Sequence, residues 1–167
     1  ASADLLVKSW NRTYQLPFLI THTCNNFGPF QNKEKLIPKV IESCRNKISI
    51  PVYAKGKQIR EWIYVKDNVE AIKKLIFKKS TINQVFNIGS NFSCRNIDLI
   101  NLICEYFNQN IDPKYNYKKL IKYTKDRPGH DLKYSLNSNK FRSMFNWKPK
   151  NSFKHSLYST IDWYLDN

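Results

Sequence analysis

Apolar residues recur every three or four positions in several stretches of this chain, which predicts amphipathic helices. These stretches are residues 1–14, 36–44, 69–76, 97–107, 141–145 and 153–164. Short apolar runs between them predict buried strands, and the clearest are LPFLITHT at 16–23 and QVFNIGS at 84–90. Because strands alternate with helices, the predicted fold class is α/β.

Local signals refine this pattern. The segment IPVYAKGKQIREWIYV at 50–65 predicts two strands joined as a hairpin around Lys55-Gly56-Lys57, and CNNFGPF at 24–30 predicts a loop. KLIKYT at 119–124 and LKYSLN at 132–137 predict short strands on either side of DRPGHD at 126–131, where Pro128-Gly129 predicts a tight bend. Helix starts are predicted at four polar residues: Asp67, Asn96, Asn137 and Ser152.

The charge balance changes the picture of what the chain contacts. Its 167 residues include 28 lysine and arginine against 13 aspartate and glutamate, a net charge of +15. Such an excess favours an anionic partner: a nucleic acid, a membrane surface or a phosphorylated small molecule. A solvated, lysine-rich surface with no such partner explains the charge at least as well, since the lysines are spread along the chain.

The four cysteines predict free thiols in a reducing compartment. Cys24, Cys44, Cys94 and Cys104 form no C-x-x-C pair and no cysteine-histidine cluster with zinc spacing. No metal site is therefore predicted. No apolar run reaches the length of a membrane span, so we expect a cytoplasmic protein without a membrane partner.

Polar residues gather where an α/β sheet exposes the carboxyl ends of its strands, which is where ligands bind in such folds. Guanidinium groups hold phosphate oxygens in a planar fork, and a helix start adds backbone N–H groups. A diphosphate site is therefore predicted at Arg60, Arg127 and His130, with the helix start at Asn96 beside them, although Arg60 alone is more simply a solvated residue and Asn96 alone a helix cap. Asn25 and Asn26 follow the first predicted strand and are expected at the same edge.

Taken together, the motifs carry more information than any residue alone. Their order along the chain is CNNFGPFQNKEKLIP, PVYAKGKQIREWIYVKD, FNIGSNFSCRNID, YTKDRPGHDLKY, WKPKNSF and WYLDN. In this order and spacing they resemble the dTDP-glucose 4,6-dehydratases, which are extended short-chain dehydrogenases/reductases acting on a nucleotide sugar. The resemblance covers residues 1–167 and implies the last Rossmann strands together with a small substrate-binding subdomain.

The resemblance implies a role for each matching residue. Asn25 would contact the hexose, and Asn26 would contact the NAD cofactor. The nucleotide would be bordered by Lys35 and Leu36, and its thymine slot would be lined by Pro51, Val52 and Tyr53. The diphosphate would be held by Arg60, Asn96, Arg127 and His130. Phe27 stands where the family more often has tyrosine, so one hydroxyl is missing there.

The family's catalytic residues are not among these 167 residues. The resemblance places the Tyr-x-x-x-Lys pair, the acid/base carboxylates and the glycine-rich dinucleotide fingerprint before Ala1. The chain holds four glycines and no such fingerprint. We therefore expect one partial domain, the substrate-binding half of an enzyme that is a homodimer when complete, with no catalytic residue of its own and no activity alone.

Three other interpretations stay open at this point. The first is a basic nucleic-acid-binding module, although no helix-turn-helix, zinc-finger or RNP signature occurs. The second is a related NAD-dependent epimerase or dehydratase that uses another nucleotide sugar. The third is a non-catalytic remnant or fragment, with a binding role or with none.

Under the resemblance itself, the complete enzyme oxidises C4 of dTDP-glucose, eliminates water across C5 and C6, and returns the hydride to C6.

Overall fold

The computed structural model describes residues 1–126 and 128–167, and it has the expected mixture of helices and strands. The helices are α1 (Ser2–Tyr14), α2 (Leu36–Arg45), α3 (Val65–Ile76), α4 (Asn96–Asn110), α5 (Asn139–Phe145) and α6 (Phe153–Asp166). The strands are β1 (Leu19–Thr23), β2 (Asn25–Phe27), β3 (Ile50–Tyr53), β4 (Ile59–Tyr64), β5 (Gln84–Ile88), β6 (Ser93–Arg95), β7 (Ile121–Thr124) and β8 (Lys133–Tyr134).

The strands form small, mostly parallel sheets. β1 pairs with β5 in parallel, and β3 pairs with β7 in parallel. Strand β4 is the hub of the largest sheet, because β2 and β8 pair with it in parallel and β6 pairs with it antiparallel. Parallel strands are joined by long connections, so strands that pair in parallel are far apart in sequence. Strands β2 and β4 are such a pair, and α2 and β3 lie between them in the chain.

The hairpin predicted at 50–65 is wrong. Both strands exist, but β3 pairs with β7 and β4 pairs with other strands. The connecting residues Ala54, Lys55 and Gly56 all have positive φ, at 45°, 56° and 68°. They form a short 3₁₀ segment between β3 and β4, and the two strands do not pair with each other.

Three predicted helix starts and one predicted loop also need correction. Helix α5 begins at Asn139 with Ser138 at its cap position, and not at Asn137. The predicted loop 24–30 contains strand β2, because Asn25–Phe27 pairs with β4. Asp67 lies inside the first turn of α3, where its carboxylate accepts a hydrogen bond from the backbone N–H of Lys150 at 3.1 Å. Asn96 is the first residue of α4 and makes no side-chain cap. Ser152 does cap α6, accepting from the backbone N–H of His155.

Two hydrophobic clusters form the core. The larger one gathers α2, α4, α6 and β3 around residues such as Ile41, Ile103 and Phe107. The smaller one gathers α3, β5 and α5 around residues such as Phe86 and Phe141. Neighbouring residues of β4 contribute to different clusters, Trp62 to the larger and Ile63 to the smaller.

The cysteines are free, as the sequence predicts. Cys44 on α2 and Cys104 on α4 are both buried in the larger cluster. The neighbouring Cys104 sulfur and burial together raise the pKa of the Cys44 thiol. Within the described part of the chain, no helix is long and apolar enough to cross a membrane.

Helix α1 is the only one of the α-helices, all of which lie within the described residues, without a buried residue. Its apolar side chains Leu5, Leu6 and Trp10 are exposed, Trp10 at 51%. Its polar side is tied to β1, because Asp4 Oδ2 lies 2.7 Å from His22 Nε2. An amphipathic helix in a folded protein ordinarily buries its apolar stripe, so this face is available for association.

We expect the chain to self-associate through α1. Sedimentation at several concentrations should show an average mass that rises with concentration, because association removes the exposed apolar face from water. The double variant Leu6→Lys, Trp10→Lys should shift the distribution towards monomer. A suitable control is Phe77→Ser, which removes an 83% exposed apolar side chain from another surface. A parent chain that sediments as a concentration-independent monomer would contradict this expectation.

Candidate functional site

A cleft of about 540 Å³ lies at the carboxyl end of β1 and beside β2 and β4. It brings together six of the residues that the sequence singles out. Those six are Asn25, Asn26, Lys35, Leu36, Arg60 and Asn96. Cys24, Gln31 and Trp62 complete its lining, and sequence reasoning did not select them.

The fold explains why residues from four segments meet here. Asn25 and Asn26 form β2 and pair in register with Trp62 and Ile63 of β4. Helix α2 begins at Leu36 and helix α4 begins at Asn96, and both of these residues line the cleft. The positive ends of two helix dipoles therefore lie at its wall, where they favour an anion.

Several amide oxygens at the cleft are buried without a hydrogen-bond donor among the described residues. They are Asn26 Oδ1, Gln31 Oε1 and Asn96 Oδ1. The amide nitrogens of Asn26 and Gln31 are engaged, since Asn26 Nδ2 donates to Thr23 Oγ1 at 3.1 Å and Gln31 Nε2 donates to the Asn26 carbonyl at 2.8 Å. Buried polar atoms are normally paired, so three free acceptors at one cleft indicate a ligand with hydroxyl or N–H groups.

The cationic side of the cleft is formed by Lys35 and Arg60. No described carboxylate forms an ion pair with either of them. The Arg60 guanidinium donates to the backbone carbonyls of Ile59 at 2.9 Å and Asp131 at 2.8 Å. These bonds fix its orientation and leave further N–H donors for a ligand, because a guanidinium has five.

The bend of DRPGHD lies next to Arg60. Pro128 and Gly129 form the predicted turn, and Gly129 has the positive φ of 69° that favours glycine. His130 does not line the cleft; its Nδ1 lies 2.8 Å from Asp126 Oδ1 and 3.1 Å from the side chain of Gln58. Arg127, the remaining predicted diphosphate ligand, lies outside the described residues.

The predicted thymine slot lies outside this cleft, on β3. Val52 is buried in the larger core cluster, whereas Tyr53 is 47% exposed and Pro51 is half-buried. The end of β3 still approaches the cleft, because Gly56 after it packs against Ile97 in the first turn of α4. The accessible side chains of this segment are therefore those of Pro51 and Tyr53.

Cys24 is a wall residue of the cleft and not a reactive one. Burial, with the nearby Glu61 carboxylate adding to it, raises the pKa of the Cys24 thiol to about 12. The thiolate is the nucleophilic form, so at neutral pH this side chain stays a neutral thiol. The cleft thus supplies acceptors and cations, which suit binding.

Comparisons with known proteins agree with the motifs. The family model described as GDP-mannose 4,6 dehydratase matches residues 1–160. The dTDP-glucose 4,6-dehydratase 1 of Escherichia coli K12 is 38% identical over 167 residues, which are 100% of this chain and 46% of that protein. The chain thus spans about half the length of the curated relatives it matches.

Solved structures show the same likeness in three dimensions. The crystal structure of dTDP-glucose 4,6-dehydratase from Bacillus anthracis in complex with NAD matches with a TM-score of 0.87 and 35% identity, over 100% of this chain and 50% of that one. DesIV, a dTDP-glucose 4,6-dehydratase from Streptomyces venezuelae with NAD bound, matches with a TM-score of 0.88 and 30% identity, over 98% and 48%. These matches confirm the expected fold, an α/β portion of an extended short-chain dehydrogenase/reductase. The chain therefore belongs to the GDP-mannose 4,6 dehydratase family, and its resemblance to the dTDP-glucose 4,6-dehydratases is confirmed along its whole length.

Proposed function

We propose that this chain is the nucleotide-sugar-binding half of a dTDP-glucose 4,6-dehydratase. Residues 1–167 then form one partial domain, in which the last Rossmann elements alternate with the sugar-binding subdomain. The relatives' names support the substrate class, and the cleft supports it independently through its chemistry. A cytoplasmic location and a homodimeric complete enzyme belong to the same proposal, and the free thiols support the former.

The observation that carries the proposal is that the residues of one cleft supply both hydrogen-bond acceptors and positive charge. Three of its lining residues carry buried amide oxygens without a described partner, and the lining also includes the cations Lys35 and Arg60, with which no described carboxylate pairs, and the starts of two helices. A nucleotide sugar has the complementary arrangement, because its hexose carries hydroxyl donors and its diphosphate carries negative charge. Guanidinium and helix N-termini are the groups that proteins use for phosphate oxygens.

Within the proposal, each residue has a stated task. Asn25 contacts the hexose, Lys35 and Leu36 border the nucleotide, and Arg60 and Asn96 hold the diphosphate. His130 contributes from the bend, and Arg127, beyond the described residues, is assigned to the diphosphate by resemblance alone. The base is assigned to the segment of Pro51, Val52 and Tyr53, with the exposed Tyr53 ring as its stacking surface.

The residues present fit only one edge of NAD. Asn26 offers a buried, unpartnered Oδ1 that suits a cofactor donor group, and its amide nitrogen is held by Thr23 and Cys24. The chain has no glycine-rich fingerprint to hold the pyrophosphate of the cofactor. When bound, NAD would supply hydride acceptance and return; this chain's residues would bind and orient the sugar.

The proposal predicts that the chain binds dTDP without turning over the sugar. Calorimetric titration should detect dTDP binding, and Arg60→Ala should weaken it by about 1.5–3 kcal/mol, the range for a hydrogen bond to a charged group. Arg45→Ala is the control, because Arg45 also donates to a backbone carbonyl, that of Tyr164, but lies outside the cleft. Incubation with dTDP-glucose and NAD should yield no 4-keto sugar. Equal dTDP affinities of the two variants, or clear turnover by the chain, would refute the assignment.

A further inference from the structure

Gln58 lies where three segments of the cationic side of the cleft meet. It precedes β4 by one residue and is 2% exposed. Its backbone carbonyl accepts a hydrogen bond from the N–H of Asn96, the first residue of α4, at 2.9 Å. Its side-chain Nε2 lies 3.2 Å from Asp126 Oδ2 and 3.1 Å from His130 Nδ1, both in the DRPGHD bend. One buried residue thus touches the start of α4 and the bend.

The contacts around His130 fix which atom carries the proton. His130 Nδ1 lies 2.8 Å from Asp126 Oδ1, and a carboxylate oxygen can only accept. The proton of this bond is therefore on Nδ1. A protonated Nδ1 cannot accept from Gln58 Nε2, so the amide N–H is directed at Asp126 Oδ2. The ring and the amide each engage one oxygen of Asp126.

Burying the polar amide of Gln58 costs free energy that an apolar side chain at the same position would not. Gln58 stands in the short strand region before Ile59 and is almost fully buried, where an unpaired amide would be destabilising. A side chain of the same volume without polar atoms would fill the space equally well. The amide of Gln58 is paired with the Asp126 carboxylate, which in turn holds the His130 ring.

We propose that Gln58 is a positioning residue for diphosphate binding, an inference that rests on the proposed function. By holding Asp126, it sets the His130 ring with Nδ1–H bound inside the protein, so that the imidazolium form can donate only its Nε2–H to a phosphate oxygen. Through its carbonyl, it also sets the start of α4 relative to this ring. Gln58 thereby fixes the position of Asn96 and His130 relative to Arg60, which follows it by two residues and lies on β4.

The test compares Gln58→Met with a matched control. Methionine is close to glutamine in volume and lacks the amide, so packing is kept while the hydrogen bond is lost. The control is Gln84→Met, because Gln84 Nε2 also donates a hydrogen bond, in this case to the backbone carbonyl of Ser80 at 2.6 Å, but Gln84 lies outside the cleft. The readouts are the ¹⁵N ring shifts of His130 in the ligand-free chain at mildly alkaline pH, and the Kd for dTDP.

We expect the parent to show the Nδ1–H tautomer of His130. Gln58→Met should shift the His130 ring signals and weaken dTDP binding roughly tenfold, the effect of one charged hydrogen bond, whereas Gln84→Met should change neither. An Nε2–H tautomer in the parent overturns the inference without any variant. A parent that binds dTDP, with a folded Gln58→Met variant that binds equally well, overturns the role of Gln58 alone. A parent that does not bind dTDP refutes the proposed function instead.

Discussion

Replacing Glu61 with alanine is expected to lower the free energy of unfolding by about 3 kcal/mol or more, because two backbone N–H groups lose a charged acceptor. Glu61 is on β4 and is 1% exposed. Its Oε1 accepts from the N–H of Asn91 at 2.9 Å, and its Oε2 accepts from the N–H of Leu136 at 2.8 Å. The carboxylate thus joins the loop after β5 to the segment before α5. For a chain of this size the melting temperature should fall by on the order of 10 °C.

Two further variants make the Glu61 test specific. Glu61→Gln keeps the volume and one acceptor but turns an amide NH₂ towards the other backbone N–H, so it should lie between the parent and Glu61→Ala. Glu70→Ala removes an exposed carboxylate whose ion pair among the described residues is with Lys73 on the same helix, and it should change stability by less than about 0.5 kcal/mol. Urea unfolding measures all three. Equal urea midpoints for Glu61→Ala and Glu70→Ala would show that the hydrogen bonds of the buried carboxylate do not stabilise the fold.

Gly56→Ala is expected to destabilise the chain by about 3 kcal/mol, the sum of a left-handed backbone and crowding in a packed site. Gly56 has φ of 68°, and a Cβ there would lie 2.7 Å from Ile97 Cβ and 2.9 Å from Ile97 N. To relieve the clash between the new Cβ and Ile97, the first turn of α4 would have to move away from the segment that follows β3. Because Asn96 begins that turn, binding of dTDP should weaken together with stability.

Gly129→Ala separates the two contributions to this effect. Gly129 has nearly the same φ, 69°, but no atom of the described residues lies within 4 Å of the Cβ position. Its replacement should cost only the backbone term, about 1 kcal/mol. Thermal or urea unfolding of both variants gives the difference. If both variants lose the same free energy of unfolding, the predicted crowding between Gly56 and α4 contributes nothing to stability.

The helices and the composition of the cleft could be predicted because both depend on local pattern. Apolar spacing located α2, α4 and α6, and the polar end of an apolar run located Asn25 and Asn26. Arg60 was selected for its guanidinium group, on a strand that exists although the predicted hairpin does not. Strand pairing could not be predicted in the same way. Strand β3 pairs with β7, about 70 residues later, and nothing in the alternation of either segment identifies the other. The hairpin prediction failed for that reason.

Buried polar residues were the other gap between sequence and structure. Gln58 and Glu61 stand in a strand-like stretch, where such residues are ordinarily assigned to the solvated face. Their partners, at Asn91, Asp126 and Leu136, are at least 30 residues away. The one available signal was a carboxylate directly before the apolar run WIYV. The Asn96 cap was mispredicted by one position, because Arg95 holds the cap position of α4, whereas Asn96 is its first helical residue and lines the cleft with a buried Oδ1 that has no described partner.

Strand β4 contributes Trp62 to one hydrophobic cluster and Ile63 to the other, and this has a consequence for how the chain loses its structure. Neither cluster can open while the other stays intact, since the same backbone forms a wall of both. The two clusters should therefore behave as one cooperative unit, and the amide hydrogens of β4 should exchange with solvent only through complete unfolding. Helix α1, which buries no side chain, lies at the opposite extreme and should exchange through local fraying.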